Sequence, residues 1–344
     1  MNEENQFIYN DGEDGSVTSQ EAPKNNSFPV KFQLVIIGFF LVILFGSVII
    51  PKFLIIINRE PEKLATVSDT TLLIEDESVV IPQKIDTVNL RAEAAYVWDV
   101  VGQRALYEEN PDEKLPLASI TKLMTALVAY ELVADDTLVT ISPAAASQES
   151  AGSLLPGEVY EVKDLADFAL VSSYNSAAQT LAEAVGEKLG NGNPLQQFVA
   201  AMNIRASELN LQTHEYLNPT GLDVSPSRAG AYGSARETTF LLEYIYANYP
   251  EVLRPTVAES TRLYNQSGDY HEAKNTNRVL LDIPNLLGSK TGYTDLAGGN
   301  LTIIFDAGFN RPVIVTVLGS THSERFSDVK KLVAAVQASM VSKI

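Results

Sequence analysis

Apolar positions along the chain repeat in three ways, and each pattern predicts a different kind of element. From Leu34 to Ile50, seventeen residues are broken only by Gly38, Gly46 and Ser47. As a helix this run spans about 26 Å, close to the ~30 Å hydrocarbon core of a bilayer, and Phe53–Ile57 can extend it. A cleaved export signal would have a shorter apolar region, about 7–15 residues, ending at a small-residue cleavage site. Here Pro51, Lys52 and a second apolar run follow instead. Residues 32–57 are therefore expected to be a retained transmembrane anchor. A disordered acidic tail over 1–31 precedes it, and a stalk over 58–87 follows, where Glu, Asp, Pro and Lys interrupt short apolar pieces.

Beyond the stalk the pattern changes. Apolar residues at 120, 123, 124, 127, 128 and 132 predict an amphipathic helix from Ser119 to Leu132. Similar spacing recurs over Val162–Val171, Asn175–Leu189 and Asn193–Leu209. Another helix is expected from Ser234, where Ser234 and Glu237 are spaced as a capping box. Short β-favouring runs at Ala94–Trp98 and Arg104–Glu108 predict a hairpin around Gly102. Strand patterns return at Leu286–Thr291, Leu301–Phe305 and Val313–Leu318, before a closing helix from about Ser327 to Val341. Strands at both ends with helices between predict a mixed α/β fold of the α+β kind. One mostly antiparallel sheet joins the two ends, flanked by helices, with a helical subdomain inserted, all within residues 88–344.

Charge and composition remove several functions. The net charge of −18, from 43 acidic and 25 basic residues, excludes a nucleic-acid partner, because phosphate binding needs a positive footprint. With no cysteine there is no disulfide, thiolate nucleophile or thiolate-held metal. The histidines His214, His271 and His322 are scattered without H-E-x-x-H spacing, so histidine-based chemistry is not expected. Lys24 and Lys31 before the apolar run are balanced by Lys52, Arg59 and Lys63 after it, and charge does not set the orientation.

Three short motifs carry candidate chemistry. In Ser119-Ile120-Thr121-Lys122 a hydroxyl and an amine three apart share a helix face, and a desolvated lysine can deprotonate a serine. Ser327-Asp328-Val329-Lys330 has the same spacing and reads as a helix cap followed by a surface lysine. Ser173-Tyr174-Asn175 can project a hydroxyl and an amide from a turn, although Asn175 alone reads as a helix start. Lys290-Thr291-Gly292 ends a strand-like run. There a lysine and a threonine hydroxyl can grip a carboxylate, and a glycine admits a substrate backbone. Taken singly, each also fits a cap or a turn.

Their order carries more than any member: Ser-x-x-Lys, 54 residues on to Ser-x-Asn, then 117 on to Lys-Thr-Gly. In this order the chain resembles the penicillin-recognising serine enzymes. It is most similar to the low-molecular-weight D-alanyl-D-alanine carboxypeptidases of the S11 peptidase family. Leu117–Thr125, Asn218–Asp223 and Gly288–Thr294 support this, as do Tyr96–Asp99, Gly102 and Leu106-Tyr107 near the start of the domain. The resemblance runs from about residue 90 to 340 and implies a β-lactamase/transpeptidase-like fold. It further implies that Ser119 attacks a D-Ala–D-Ala peptide bond of peptidoglycan and releases D-alanine, with the acyl-enzyme then hydrolysed. Lys122 would be the base, its pKa lowered by partial burial and by the charge of Lys290. Ser173 would relay a proton to the leaving amine, and Asn175 would hold Lys122 or the substrate amide. Lys290, Thr291 and Gly292 would bind the substrate, and the backbone N–H groups of Ser119 and Tyr293 would form the oxyanion hole. β-Lactams would be inhibitors, and the catalytic domain would face the wall from a single-pass cell-membrane anchor. The resemblance implies no metal or organic cofactor.

Two features depart from the family. Ser173-Tyr174-Asn175-Ser176 stands where Ser-Gly-Asn-Asp is common, and the chain stops at Ile344 without room for the C-terminal β-domain of many relatives. Three other readings stay open. A class A β-lactamase would need a glutamate at the position of Ala206, ahead of Glu208-Leu209-Asn210. A D,D-endopeptidase shares all the motifs. A non-catalytic penicillin-sensing or wall-binding domain would have lost a catalytic group.

Overall fold

A computed structural model describes residues 79–308 and 310–343. The tail, the anchor at 32–57 and most of the stalk lie outside the described residues. Among the described residues, no helix is long and apolar enough to cross a membrane. Strand β1 (Val79–Pro82) lies within the stretch expected to be stalk, so the folded part reaches further toward the N-terminus than residue 88.

Strands β2 (Ala94–Asp99), β3 (Arg104–Glu109), β4 (Leu286–Thr294), β5 (Gly298–Asp306) and β6 (Pro312–Ser320) form an antiparallel sheet in the order β4-β5-β6-β2-β3. Strand β7 (Met340–Lys343) pairs with β1. The sheet thus joins the two ends of the domain as expected, and β4 is its free edge. Alternation along β6 splits the interior into two cores. Val313, Val315 and Val317 face one, packed under Phe326, Val329, Leu332 and Val336. Ile314 and Leu318 face the other, which is continuous with the helical subdomain. A sheet covered on both sides needs apolar residues on both faces, which is why β5 and β6 read as nearly unbroken apolar runs.

The helices are α1 (Lys122–Leu132), α2 (Val162–Val171), α3 (Asn175–Leu189), α4 (Pro194–Glu208), α5 (Ala235–Asn248) and α6 (Glu324–Ala338). Helices α2 and α3 have the ends expected of them. Two expectations need correcting. Helix α1 opens as a 3-10 turn over Ala118–Thr121 and is not amphipathic, since every residue from Lys122 to Ala129 is buried. It is the central helix, with α2, α3, α4 and α5 all packed around it. The closing helix starts at Glu324, whose N–H donates to Thr321 Oγ1 at 3.0 Å, and it ends before the β7 strand. Ser327 is therefore inside the helix and is not its cap.

The Ser234 capping box is half formed. Ser234 Oγ accepts the Glu237 N–H at 3.2 Å, but the Glu237 carboxylate turns to the N–H groups of Gln212 and Thr213 at 3.0 and 2.8 Å. It fastens the preceding loop to α5 instead of closing its own helix.

Candidate active site

Ser119 sits on the 3-10 turn that leads into α1, at the junction of sheet and helical subdomain. The residue before it, Ala118, is held at φ +48°, a conformation that costs a non-glycine residue ~1–3 kcal/mol. Its carbonyl accepts Thr121 Oγ1 at 2.7 Å, which helps to hold the turn. One turn on, Lys122 Nζ donates to Ser119 Oγ at 2.8 Å, to Asn175 Oδ1 at 2.7 Å and to the Thr220 carbonyl at 2.8 Å. Lys122 is fully buried, and all three of these partners are uncharged. Burial without a carboxylate pushes its pKa down to about 7. The burial is complete and not partial, and it is the cause of the shift at Lys122.

Asn175 is the first residue of α3, yet its side chain does not cap the helix. Its Nδ2 donates to the Glu149 carbonyl at 2.6 Å, which turns Oδ1 toward Lys122. The third partner, Thr220, belongs to the Asn218–Asp223 stretch. Asn218 Oδ1 accepts from Thr220 N, Thr220 Oγ1 and Gly221 N at 3.1, 3.0 and 2.8 Å. Gly221 has φ +78°, and a Cβ there would lie 1.8 Å from the Ala118 carbonyl oxygen. The loop is thus pressed onto the Ser119 turn. Thr220 escaped the sequence reading because it acts through its backbone carbonyl, which leaves no mark in side-chain identity.

The opposite wall is the free edge of β4. Lys290, only 1% exposed, donates to Ser173 Oγ at 2.9 Å and to the Thr291 carbonyl at 3.0 Å. Burial, with the charges of Lys122 and Arg325, holds its pKa well below the usual lysine range. Ser173, at φ +61°, is also in a strained backbone conformation. Thr291 Oγ1 shares a 2.6 Å hydrogen bond with Thr276 Oγ1. A Cβ on Gly292 would come within 2.8 Å of the Leu117 carbonyl oxygen and 3.2 Å of the Ser119 nitrogen. Glycine is what lets the strand lie against the serine turn, with Tyr293 next along the edge. The Tyr293 ring is half exposed and meets the edge of His322 at 4.7 Å.

The structure therefore brings Ser119, Lys122, Ser173, Asn175, Lys290, Thr291, Gly292 and Tyr293 together. Apart from the buried lysines, all of these line a cleft of about 880 Å³. Arg325, from α6, lines it too and was missed. It is 4% exposed and donates Nη1 to the Gly292 carbonyl at 2.5 Å, while its Nε is buried without a partner. Among the described residues it has no carboxylate partner, and burial beside Arg278 pushes its pKa down to about 10. A lone arginine on a closing helix carries no motif in the sequence.

The two departures at Ser173–Ser176 are accommodated by packing. Tyr174 stacks on Phe168 with ring centroids 5.7 Å apart, and it lies against Gly152, where a Cβ would be 2.3 Å from the ring. Ser176 is buried and donates to the Ala151 carbonyl. With Asn175 it pins residues 149–151 along the cleft. Ala206 is buried in α4, and Glu208 is exposed and paired with Arg205 at 2.9 Å, so neither lines the cleft.

A serine–lysine pair between a helical subdomain and the edge of an antiparallel sheet defines the class of penicillin-recognising serine enzymes. The chain belongs to the peptidase S11 family, D-alanyl-D-alanine carboxypeptidase, which it matches over residues 80–322. It is 32% identical over 241 residues to a D-alanyl-D-alanine carboxypeptidase of Bacillus subtilis, covering 67% of this chain and 58% of that protein. It is also 32% identical over 265 residues to a D-alanyl-D-alanine endopeptidase of Pseudomonas aeruginosa, covering 74% and 80%. Penicillin-binding protein D2 of Listeria monocytogenes, solved in its ampicillin-bound form, superposes with a TM-score of 0.62 at 28% identity. That match covers 73% of this chain and 98% of the solved one. A point variant of Streptomyces K15 DD-transpeptidase gives a TM-score of 0.65 at 25% identity, covering 73% and 100%.

Proposed function

We propose that the protein is a serine-type D-Ala–D-Ala carboxypeptidase that removes the terminal D-alanine of peptidoglycan stem peptides through an acyl-enzyme on Ser119. The observation that carries this reading is the environment of Lys122. As a neutral amine it has two N–H bonds and one lone pair. Asn175 Oδ1 and the Thr220 carbonyl can accept the two N–H bonds, which leaves the lone pair directed at Ser119 Oγ. With a pKa of about 7, a large fraction of Lys122 is neutral at physiological pH and can take the Ser119 proton as the oxygen attacks.

The substrate's terminal carboxylate is placed against Thr291 and Arg325, in the field of Lys290. Among the described residues Arg325 has no carboxylate of its own, and its guanidinium is held at the cleft by the Gly292 carbonyl. The backbone N–H groups of Ser119 and Tyr293 serve as the oxyanion hole, where one donor is typically worth ~10²–10³ in turnover. Ser173, bonded to Lys290, returns a proton to the leaving amine. Water then hydrolyses the acyl-enzyme. A β-lactam acylates Ser119 by the same route, in line with the ampicillin-bound Listeria relative. Residues 32–57 tether the enzyme to the cytoplasmic membrane as a single pass, with the catalytic domain outside.

A second reading is D,D-endopeptidase, favoured by the endopeptidase of Pseudomonas aeruginosa among the relatives. The deciding experiment incubates the full-length protein with a D-Ala–D-Ala-terminated pentapeptide and, separately, with purified cross-linked muropeptides. D-alanine release from the first supports carboxypeptidase action. Cleavage of the second alone moves the assignment to endopeptidase, and activity on neither overturns both.

A further inference from the structure

A second cavity, of about 330 Å³, lies behind the Asn218–Asp223 loop and shares Leu222 and Asp223 with the catalytic cleft. Its size is at the lower end of the range for small-molecule sites. The wall is apolar at Leu195, Val199 and Leu217, and carboxamides ring it at Gln148, Gln179 and Gln196. Asp223 is the only charged residue on it, and that carboxylate is already used, accepting Thr294 Oγ1 at 2.9 Å and the Leu296 N–H at 3.3 Å. Gln179 is 7% exposed; its Nε2 donates to Glu183 Oε1 at 2.8 Å, and its own Oε1 has no protein partner among the described residues. A carbonyl oxygen open to the cavity beside an apolar wall can accept an N–H donor attached to an apolar group. Such a lining selects against ions and for an uncharged secondary amide that carries a methyl group.

We propose that this cavity is a subsite for the N-acetyl group of the amino sugar that bears the stem peptide. The proposal rests on the carboxypeptidase reading for the identity of that substrate. Four residues precede the scissile bond of a pentapeptide, and they reach at most ~14 Å when extended. The cavity meets the catalytic cleft at Leu222 and Asp223, which line both. Its wall residue Thr220 has its carbonyl 2.8 Å from Lys122 Nζ, which is itself 2.8 Å from Ser119 Oγ. The partition between the two spaces is the loop that positions Lys122. An occupant therefore binds against the segment that orders the catalytic base, and sugar-bearing substrates gain in kcat/KM over free peptides.

The test uses the full-length protein in detergent with two readouts. In the first, saturation-transfer NMR follows N,N′-diacetylchitobiose, with its de-N-acetylated counterpart as control and a Val199→Trp variant that fills the cavity. Acetyl-methyl signals that appear with wild type and vanish in the variant support the subsite. Equal signals from both proteins, or none from wild type, overturn it. In the second, D-alanine release is compared between a free pentapeptide and the same peptide on an N-acetylated muramyl sugar. Wild type is expected to prefer the sugar-bearing substrate by about 10-fold, the worth of one well-made hydrogen bond with some apolar burial. Val199→Trp and Gln179→Leu should each bring the ratio near one while leaving free-peptide kcat/KM within about twofold. An undiminished ratio in both variants contradicts the proposal. Release from neither substrate contradicts the carboxypeptidase reading alone, and the NMR result still decides the subsite.

Discussion

Ser119–Lys122 and Ser327–Lys330 are the same four-residue pattern in the same chain, each on a helical segment, and they end in opposite environments. Lys122 is sealed inside the helical subdomain against a hydroxyl, an amide oxygen and a backbone carbonyl. Lys330 stands on the outer face of α6, about half exposed, and pairs with Asp282 at 3.0 Å. Between the second pair, Asp328 is the buried member, and its carboxylate accepts from the N–H groups of Arg91 and Ala92 and from Ser320 Oγ at 3.0, 3.0 and 2.7 Å. There the buried charge is satisfied and does structural work. At Lys122 all three acceptors are uncharged and burial penalises the cation, so the group gives up its proton easily. Spacing brings a serine and a lysine onto one face, but reactivity comes from what else is buried with them.

The comparison is broken most directly by removing the hydroxyls. Ser119→Ala is expected to abolish the covalent adduct with benzylpenicillin in intact-mass spectrometry, whereas Ser327→Ala keeps it. Swapped outcomes would contradict the assignment of the nucleophile. The amines come next. Lys122→Met should slow acylation by ~10²–10⁴-fold, the usual worth of a positioned base. Lys330→Met should leave the rate within about twofold. Arg325→Leu sharpens the contrast on the substrate side. Loss of a charge-assisted contact to the carboxylate should lower kcat/KM for the pentapeptide by about 10- to 100-fold, and an unchanged value would remove Arg325 from the site. The smallest effect is expected at Asp282→Asn, where an exposed ion pair is worth ~0–1 kcal/mol in a urea melt.

Most of this site was legible because its side chains sit in short, ordered motifs. The helix start at Asn175 is the expected one, and the strand expected over Leu286–Thr291 is present but runs on to Thr294, so Lys290-Thr291-Gly292 lies within it and not at its end. What stayed hidden follows from physics that a one-dimensional pattern does not carry. The 3.6-residue periodicity of Ser119–Leu132 predicts one wet face, but four helices packed around α1 bury every residue from Lys122 to Ala129. Thr220 contributes only a carbonyl, and Arg325 gains its role from burial beside Gly292, 33 positions away in sequence. Serine favours the cap position, which is why Ser327 reads as a cap, yet the helix starts earlier, at Glu324, whose N–H is met by Thr321 Oγ1.

The central claim is that complete burial, without a charged partner, makes Lys122 a base near neutral pH. The direct measurement is the second-order rate constant for benzylpenicillin acylation of the full-length protein, followed from about pH 5 to about pH 9. The neutral amine is the active form, and burial has lowered its pKa from the usual lysine range to about 7. The rate should therefore climb about tenfold per pH unit on the acid side and level off above pH ~7, and the inflection should be absent in Lys122→Met. A rate that is flat across the range, or that bends at the same pH in the Lys122→Met variant, would contradict the account.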